Sequence, residues 1–146
     1  MIIITRADGG VSILHPTDPR SDVSALIAKW ESAGGNRKAI SWRRGRKSDI
    51  PTDRTFRNAW DDSDSTPKVV VNMPKAREIH MDKIRATRDA KLAELDIEVL
   101  KAMEAGDTAR VTAIAKEKQD LRNIPQTFDL SKAKDPESLK KLWPDI

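Results

Sequence analysis

The sequence has no cysteine and no tyrosine, only two histidines, and just four Trp and two Phe among 146 residues. Without thiols there is no disulfide, no thiol nucleophile and no zinc–thiolate centre. His15 and His80 stand far apart, whereas a metal site asks for several ligands at close range, such as His at i and i+4. Both are therefore read as ordinary surface or boundary residues. No apolar run approaches the ~18 residues of a membrane-spanning helix. The opening Met-Ile-Ile-Ile is too short for a signal-peptide core, and Asp8 follows closely, so no membrane association is expected. No Gly-Lys-Ser/Thr follows Asp8-Gly9-Gly10, and no Gly-x-Ser-x-Gly elbow is present. Asp61, Asp62 and Asp64 are the nearest approach to a cation cluster, but they lack the glycine and closing glutamate of an EF-hand loop. The inventory points to a non-enzymatic chain, with no catalytic residue, cofactor or metal ligand assigned.

Charge is plentiful. Charged residues make up 34% of the chain and hydrophobic ones 38%, a lean core for one domain or one domain with an appendage. A chain of that kind is a candidate for stabilisation by self-association or by a partner. The net charge of +4 is uneven: residues 1–60 hold 11 Lys/Arg against 6 Asp/Glu, and residues 61–146 hold 16 against 17. The positive potential belongs to the N-terminal part.

That part reads as a small α+β layer. Ile2, Ile3 and Ile4 favour a strand, Val11, Ile13 and Leu14 mirror them, and Asp8-Gly9-Gly10 between them is a hairpin turn signal. Val23, Leu26, Ile27 and Trp30 recur at helical spacing after Ser21-Asp22, and Ala33-Gly34-Gly35-Asn36 closes that helix. Ala39, Ile40 and Trp42 suggest a third strand, with the helix covering one sheet face. Lys68 to Asn72 suggests another strand through Val69, Val70 and Val71.

Between these strands the apolar pattern fails. Trp42 stands beside Arg43, Arg44, Arg46 and Lys47, which together have the ingredients of a nucleic-acid contact: phosphate-pairing cations and a stacking ring. Against this, strand alternation points Trp42 and Arg43 to opposite faces, and the acidic stretch 61–64 can neutralise part of the cluster. An acidic protein partner is a third reading. Asp53 is placed to cap a short helical turn carrying Phe56 and Trp60, four apart and on one face. That pair serves either as local core or as partner-binding anchors.

The stretch from Met73 to Pro125 is the most legible part. It reads as two amphipathic helices joined by a tight turn. Pro74 falls in a first helical turn, where its missing N–H costs nothing. Ile84, Leu92, Leu95, Val99 and Met103 then recur mostly three or four apart. Lys83, Asp89, Lys91, Glu94, Glu98 and Lys101 occupy the opposite face, with Glu98 in reach of Lys101. Gly106 suits the residue after the helix, and Asp107 suits the cap of the next. Val111, Ile114, Leu121 and Ile124 form the second stripe, and Pro125 is expected to end it. A first helix of ~30 residues spans ~45 Å, and the second is about half as long, so much of the first needs another cover. Asp135-Pro136-Glu137 opens a short last helix with Leu139, Leu142 and Trp143 on one face, ended by Pro144.

Parts of this region resemble a known family. The stretches Arg88-Asp89-Ala90-Lys91-Leu92-Ala93-Glu94-Leu95-Asp96, Gly106-Asp107, Lys118-Gln119-Asp120-Leu121-Arg122-Asn123-Ile124-Pro125 and Leu142-Trp143-Pro144 together are similar to the C-terminal region of tail-fibre assembly proteins and related small tail proteins of tailed bacteriophages. Asp53-Arg54-Thr55-Phe56-Arg57-Asn58-Ala59-Trp60 resembles a segment preceding that hairpin. The resemblance covers roughly residues 50–146. One departure is that the family's second helix often carries a Trp and a Tyr ahead of the arginine, where this chain has Ala115-Lys116-Glu117-Lys118. The resemblance implies a non-enzymatic protein that binds a phage tail or fibre protein as an assembly chaperone, or sits in the virion. It also implies a location in the bacterial host cytoplasm during assembly.

The expected architecture is α+β: a basic unit over 1–72, then a helical hairpin with a short C-terminal helix over 73–146. Leu92, Leu95, Val99 and Met103 are the expected partner anchors, together with Phe56 and Trp60. The alternatives are a nucleic-acid-binding accessory protein using Trp42, Arg43, Arg44, Arg46 and Lys47, and a phage-encoded inhibitor of a host protein.

Overall fold

The computed structural model describes residues 1–35, 37–62 and 67–146. Asn36 and Asp64, named above for a helix end and an acidic cluster, lie outside the described residues. The class is α+β, and the chain divides into two compact units, Met1–Ala76 and Arg77–Ile146.

In the first unit, β1 (Ile2–Arg6) pairs antiparallel with β2 (Val11–Leu14) and with β3 (Ala39–Arg44), giving the sheet order β2-β1-β3. The β1–β2 turn needs Gly9, whose φ is 73°, and Asp8 Oδ1 braces it by accepting from the Gly10 N–H at 2.9 Å. The isoleucine run has no polar alternation because both sheet faces are covered. Ile2 and Ile4 pack on Val23 and Ile27 of α1 (Val23–Ser32), and Ile3 packs with Val11, Trp60 and Val69 on the other side. Asp22 caps α1 by accepting from the Ser24 N–H. The second layer is thinner than the sequence suggests. The valine run contributes only β5 (Val70–Val71), paired with β4 (Trp60–Asp61), while Val69 donates its N–H to the Asp49 carbonyl and buries its side chain. Nor do Phe56 and Trp60 share a helical face. Asp53 closes a tight turn onto the Thr55 N–H, a single 3₁₀ turn spans Arg57–Ala59, and Trp60 is already strand.

The long helix α2 (Met73–Glu104) starts inside the first unit, because Asn72 accepts from the Lys75 N–H through its side chain and from the Ala76 N–H through its carbonyl. In the second unit α2 turns back into α3 (Thr108–Thr127). Gly106, at φ 70°, makes that reversal: its N–H meets the Met103 carbonyl and the Asp107 N–H meets the Ala102 carbonyl, the paired bonds of a Schellman ending. Asp107 then caps α3 by accepting from the Arg110 N–H. Pro125 does not end α3. It lies inside the last turn, and the Phe128 N–H still closes onto the Ile124 carbonyl. A proline there removes one helical hydrogen bond rather than a run of them.

The hairpin seam is Leu95 and Ala102 against Ile114 and Leu121, flanked by Leu92, Val99, Val111 and Ile124. Ion pairs Glu98–Arg110 and Asp96–Lys118 cross it, so Glu98 reaches across to α3 rather than along its own helix to Lys101. The extra cover that α2 needs comes from the C-terminal segment, whose α4 (Pro136–Lys141) is capped by Asp135. Arg77 donates to the Ala133 carbonyl at 2.8 Å. His80 is not a surface residue: it is 4% exposed, its Nε2 lies 2.8 Å from the Leu142 carbonyl, and Trp143 meets its ring edge-on at 5.3 Å.

Candidate docking surfaces

Two exposed features stand out, one in each unit. The first is on α2. Ile97, Leu100 and Met103 are 57%, 60% and 62% exposed. At about 100° per residue, Ile97 lies on the far side of α2 from Leu92, Leu95 and Val99, Leu100 lies beside it, and Met103 sits on the flank. None of the three is among the residues of the seam. Isolated exposed apolar residues are ordinary, but three large ones within two helical turns form a patch.

This redistributes the expected anchors. Leu95 is 1% exposed, and Leu92 and Val99 are half-buried against the same cluster, so all three hold α3. Phe56 and Trp60 are 2% and 1% exposed and are core. Only Met103 of the expected six is free at the surface. Ile97 and Leu100 escaped the sequence reading because they interrupt the charged face and lie off the Leu92, Leu95 and Val99 stripe that faces α3. That misfit was their only signal.

The second feature is on β3. Trp42 pairs with Ile4 and Arg44 with Ile2, which puts both on the sheet face that α1 covers, at its open margin. Arg43 points the other way, as alternation requires, and is already engaged. Its Nη2 and Nε lie 2.6 and 2.9 Å from the two carboxylate oxygens of Asp62, whose side chain is 6% exposed. The hydrogen bond to Asp62 holds the Arg43 guanidinium above its ordinary pKa, against the opposing effect of burial. Arg43 therefore leaves the proposed cationic set. Arg44, Arg46 and Lys47 remain exposed, with the Arg46 guanidinium only loosely paired, 3.9 Å from Asp49. Trp42 is 46% exposed and Ile40 66%.

Among the described residues there is no group of three His, Asp or Glu side chains that could hold a metal ion, and no helix long and apolar enough to cross a membrane. Comparison with protein-family models, with curated proteins and with solved structures gave no match to this chain. The two surfaces are therefore interpreted from their own chemistry.

Proposed function

We propose that this chain is a non-enzymatic, tail-associated phage protein that works by protein–protein contact, presenting the outer face of α2 to a tail or fibre protein. The observation that carries the docking role is the exposed trio Ile97, Leu100 and Met103, on a helix that needs none of them to hold its hairpin partner. Ile97 and Leu100, spaced i and i+3, suit insertion into a groove or against a second helix, with Met103 at the flank. Each side chain stands to gain up to about 1.5–3 kcal/mol on full burial. Charges at the margin of the patch give such a contact its register. The phage tail as the source of the partner rests on the resemblance of residues 50–146. It supports either an assembly chaperone or a component of the particle.

The test is co-expression with the tail-fibre protein of the same genome, for the unaltered chain and for Ile97→Asp with Leu100→Asp. The unaltered chain should form a stoichiometric complex, and the double variant should lose it while keeping its helical circular dichroism. A complex that survives both substitutions, or no complex with the unaltered chain, overturns the reading. Light scattering after size exclusion reads the self-association arm. A salt-insensitive oligomer dissolved by the same substitutions assigns the trio to a second copy of this chain instead.

A further inference from the structure

The α2 patch does not account for β3. This strand lies at the edge of its sheet. Met1 and Gly45 exchange backbone hydrogen bonds, Gly45 N–H to the Met1 carbonyl at 3.1 Å and the Met1 amine to the Gly45 carbonyl at 3.4 Å. The alternation of an antiparallel ladder then turns Ile3 and Arg43 toward each other. Trp42 and Arg44 accordingly aim their N–H and C=O groups away from β1. Among the described residues, neither backbone has a partner on that side. Upstream the edge is closed, because Glu31 Oε1 accepts from the Ala39 N–H at 2.8 Å. The open part of the edge thus has a defined length and carries the exposed side chains of Ile40 and Trp42.

Edge strands are normally guarded against pairing by charge, proline or a bulge. Here a register shift between Thr5 and Arg6 leaves Ile40 without an opposite residue on β1, and the remaining guard is basic and sits at the two ends. Arg37 and Lys38 precede the strand, Arg44, Arg46 and Lys47 end it, and no Asp or Glu falls between Glu31 and Asp49. That arrangement works against a second copy. An antiparallel pair centred on Trp42 sets Arg46 against Lys38 of the other copy. Like charges so placed are destabilising. An acidic strand meets no such repulsion. Its carboxylates fall near Arg44, Arg46 and Lys38, and its backbone meets the open groups of Trp42 and Arg44.

We propose that the outer edge of β3 takes an extended acidic strand from a partner protein by β-augmentation, with Trp42 and Ile40 as its apolar contacts and the flanking cations as its selectors. Main-chain hydrogen bonds supply affinity in this mode and side chains supply the choice of partner.

The test uses the full chain and a synthetic peptide, acetyl-EVTVEVD-amide, beside its neutral counterpart acetyl-QVTVQVN-amide. Amide-resolved NMR reads hydrogen exchange at Trp42 and Arg44. The acidic peptide should slow exchange at both by roughly tenfold or more at saturation, and the neutral peptide should bind roughly tenfold more weakly or worse. Trp42→Pro removes the outward N–H without touching the β1 ladder and should abolish the protection, while Trp42→Thr keeps the N–H and should retain part of it. If Trp42→Pro does not fold, Arg44→Glu with Lys47→Glu should reject the acidic peptide. Equal binding of both peptides, or no protection with either, overturns the proposal. Binding of an oligothymidylate in place of the acidic peptide overturns it in favour of a nucleic-acid surface. Protection that rises with protein concentration alone overturns it in favour of a second copy. The Ile97→Asp and Leu100→Asp substitutions should leave peptide binding unchanged, which keeps this test separate from that of the α2 patch.

Discussion

Truncating Leu95 and Leu100 to alanine, one at a time, separates the inner face of α2 from the outer one. The two leucines are five residues apart on one helix, but Leu95 is 1% exposed and Leu100 is 60% exposed. Leucine to alanine removes about three carbons, at ~0.8 kcal/mol for each one fully buried, or roughly 2.4 kcal/mol of transfer energy at Leu95. The space left between Ala102, Ile114 and Leu121 adds a cavity term, which brings the expected cost to ~3 kcal/mol, inside the ~2–5 kcal/mol span for such changes. At Leu100 most of the side chain is already in water, so at most ~1 kcal/mol of burial is lost. Alanine's better helix propensity offsets part of that, and the net change should be near ~0.5 kcal/mol. Urea unfolding followed by far-ultraviolet circular dichroism reads mainly α2 and α3. With a slope of ~1–3 kcal/mol per molar urea, Leu95→Ala should lower the midpoint by ~1–3 M, and Leu100→Ala should leave it almost in place. Equal effects of the two substitutions would refute the assignment of faces. A Leu95→Ala cost under ~0.5 kcal/mol would refute the seam itself.

Two further outcomes follow from the backbone and the charges. Gly106→Ala should cost ~1–2 kcal/mol in the same urea assay, from left-handed backbone strain alone, because a Cβ built there meets no atom within 4 Å; a loss much larger than this would mean that the turn packs against something. Acid should remove the contribution of four carboxylates only below about pH 4. Asp8, Asp49, Asp129 and Asp135 are all held below the ordinary aspartate value of 3.8. The main causes are the backbone N–H groups of Gly10, Arg46 and Ser138 for Asp8, Asp49 and Asp135, and the Ser131 hydroxyl for Asp129. A depressed carboxylate pKa contributes stability that is present above the unfolded value and lost as pH falls through the folded one. Stability from these groups should therefore be level from pH 5 to 8 and fall below ~3.8, and replacing the four by asparagine should flatten the acid limb of the midpoint below about pH 4; an unchanged limb would contradict this.

Much of the local structure is legible in the sequence. Asp22, Asp107 and Asp135 each cap the helix they precede, and Gly9 and Gly106 take the positive φ their turns require. These are decisions made within a few residues, where the chemistry of one side chain is enough. Strand alternation likewise set Trp42 and Arg43 on opposite faces of β3.

Tertiary structure decided which apolar and charged side chains were used up. Leu95 looks like an anchor in sequence and is core in the fold, Phe56 and Trp60 could be either and are core, and Ile97 and Leu100 look like interruptions and are exposed. The acidic stretch 61–64 is in reach of the whole basic cluster in sequence, and the fold decides that Asp62, nineteen residues away, pairs with Arg43. His80 looks solitary until the chain returns with Leu142 and Trp143. Helix period and residue type fix a side chain's direction about its own axis. Only the contacts made by distant parts of the chain fix whether that direction faces water, because burial is a property of what lies opposite and not of the residue itself.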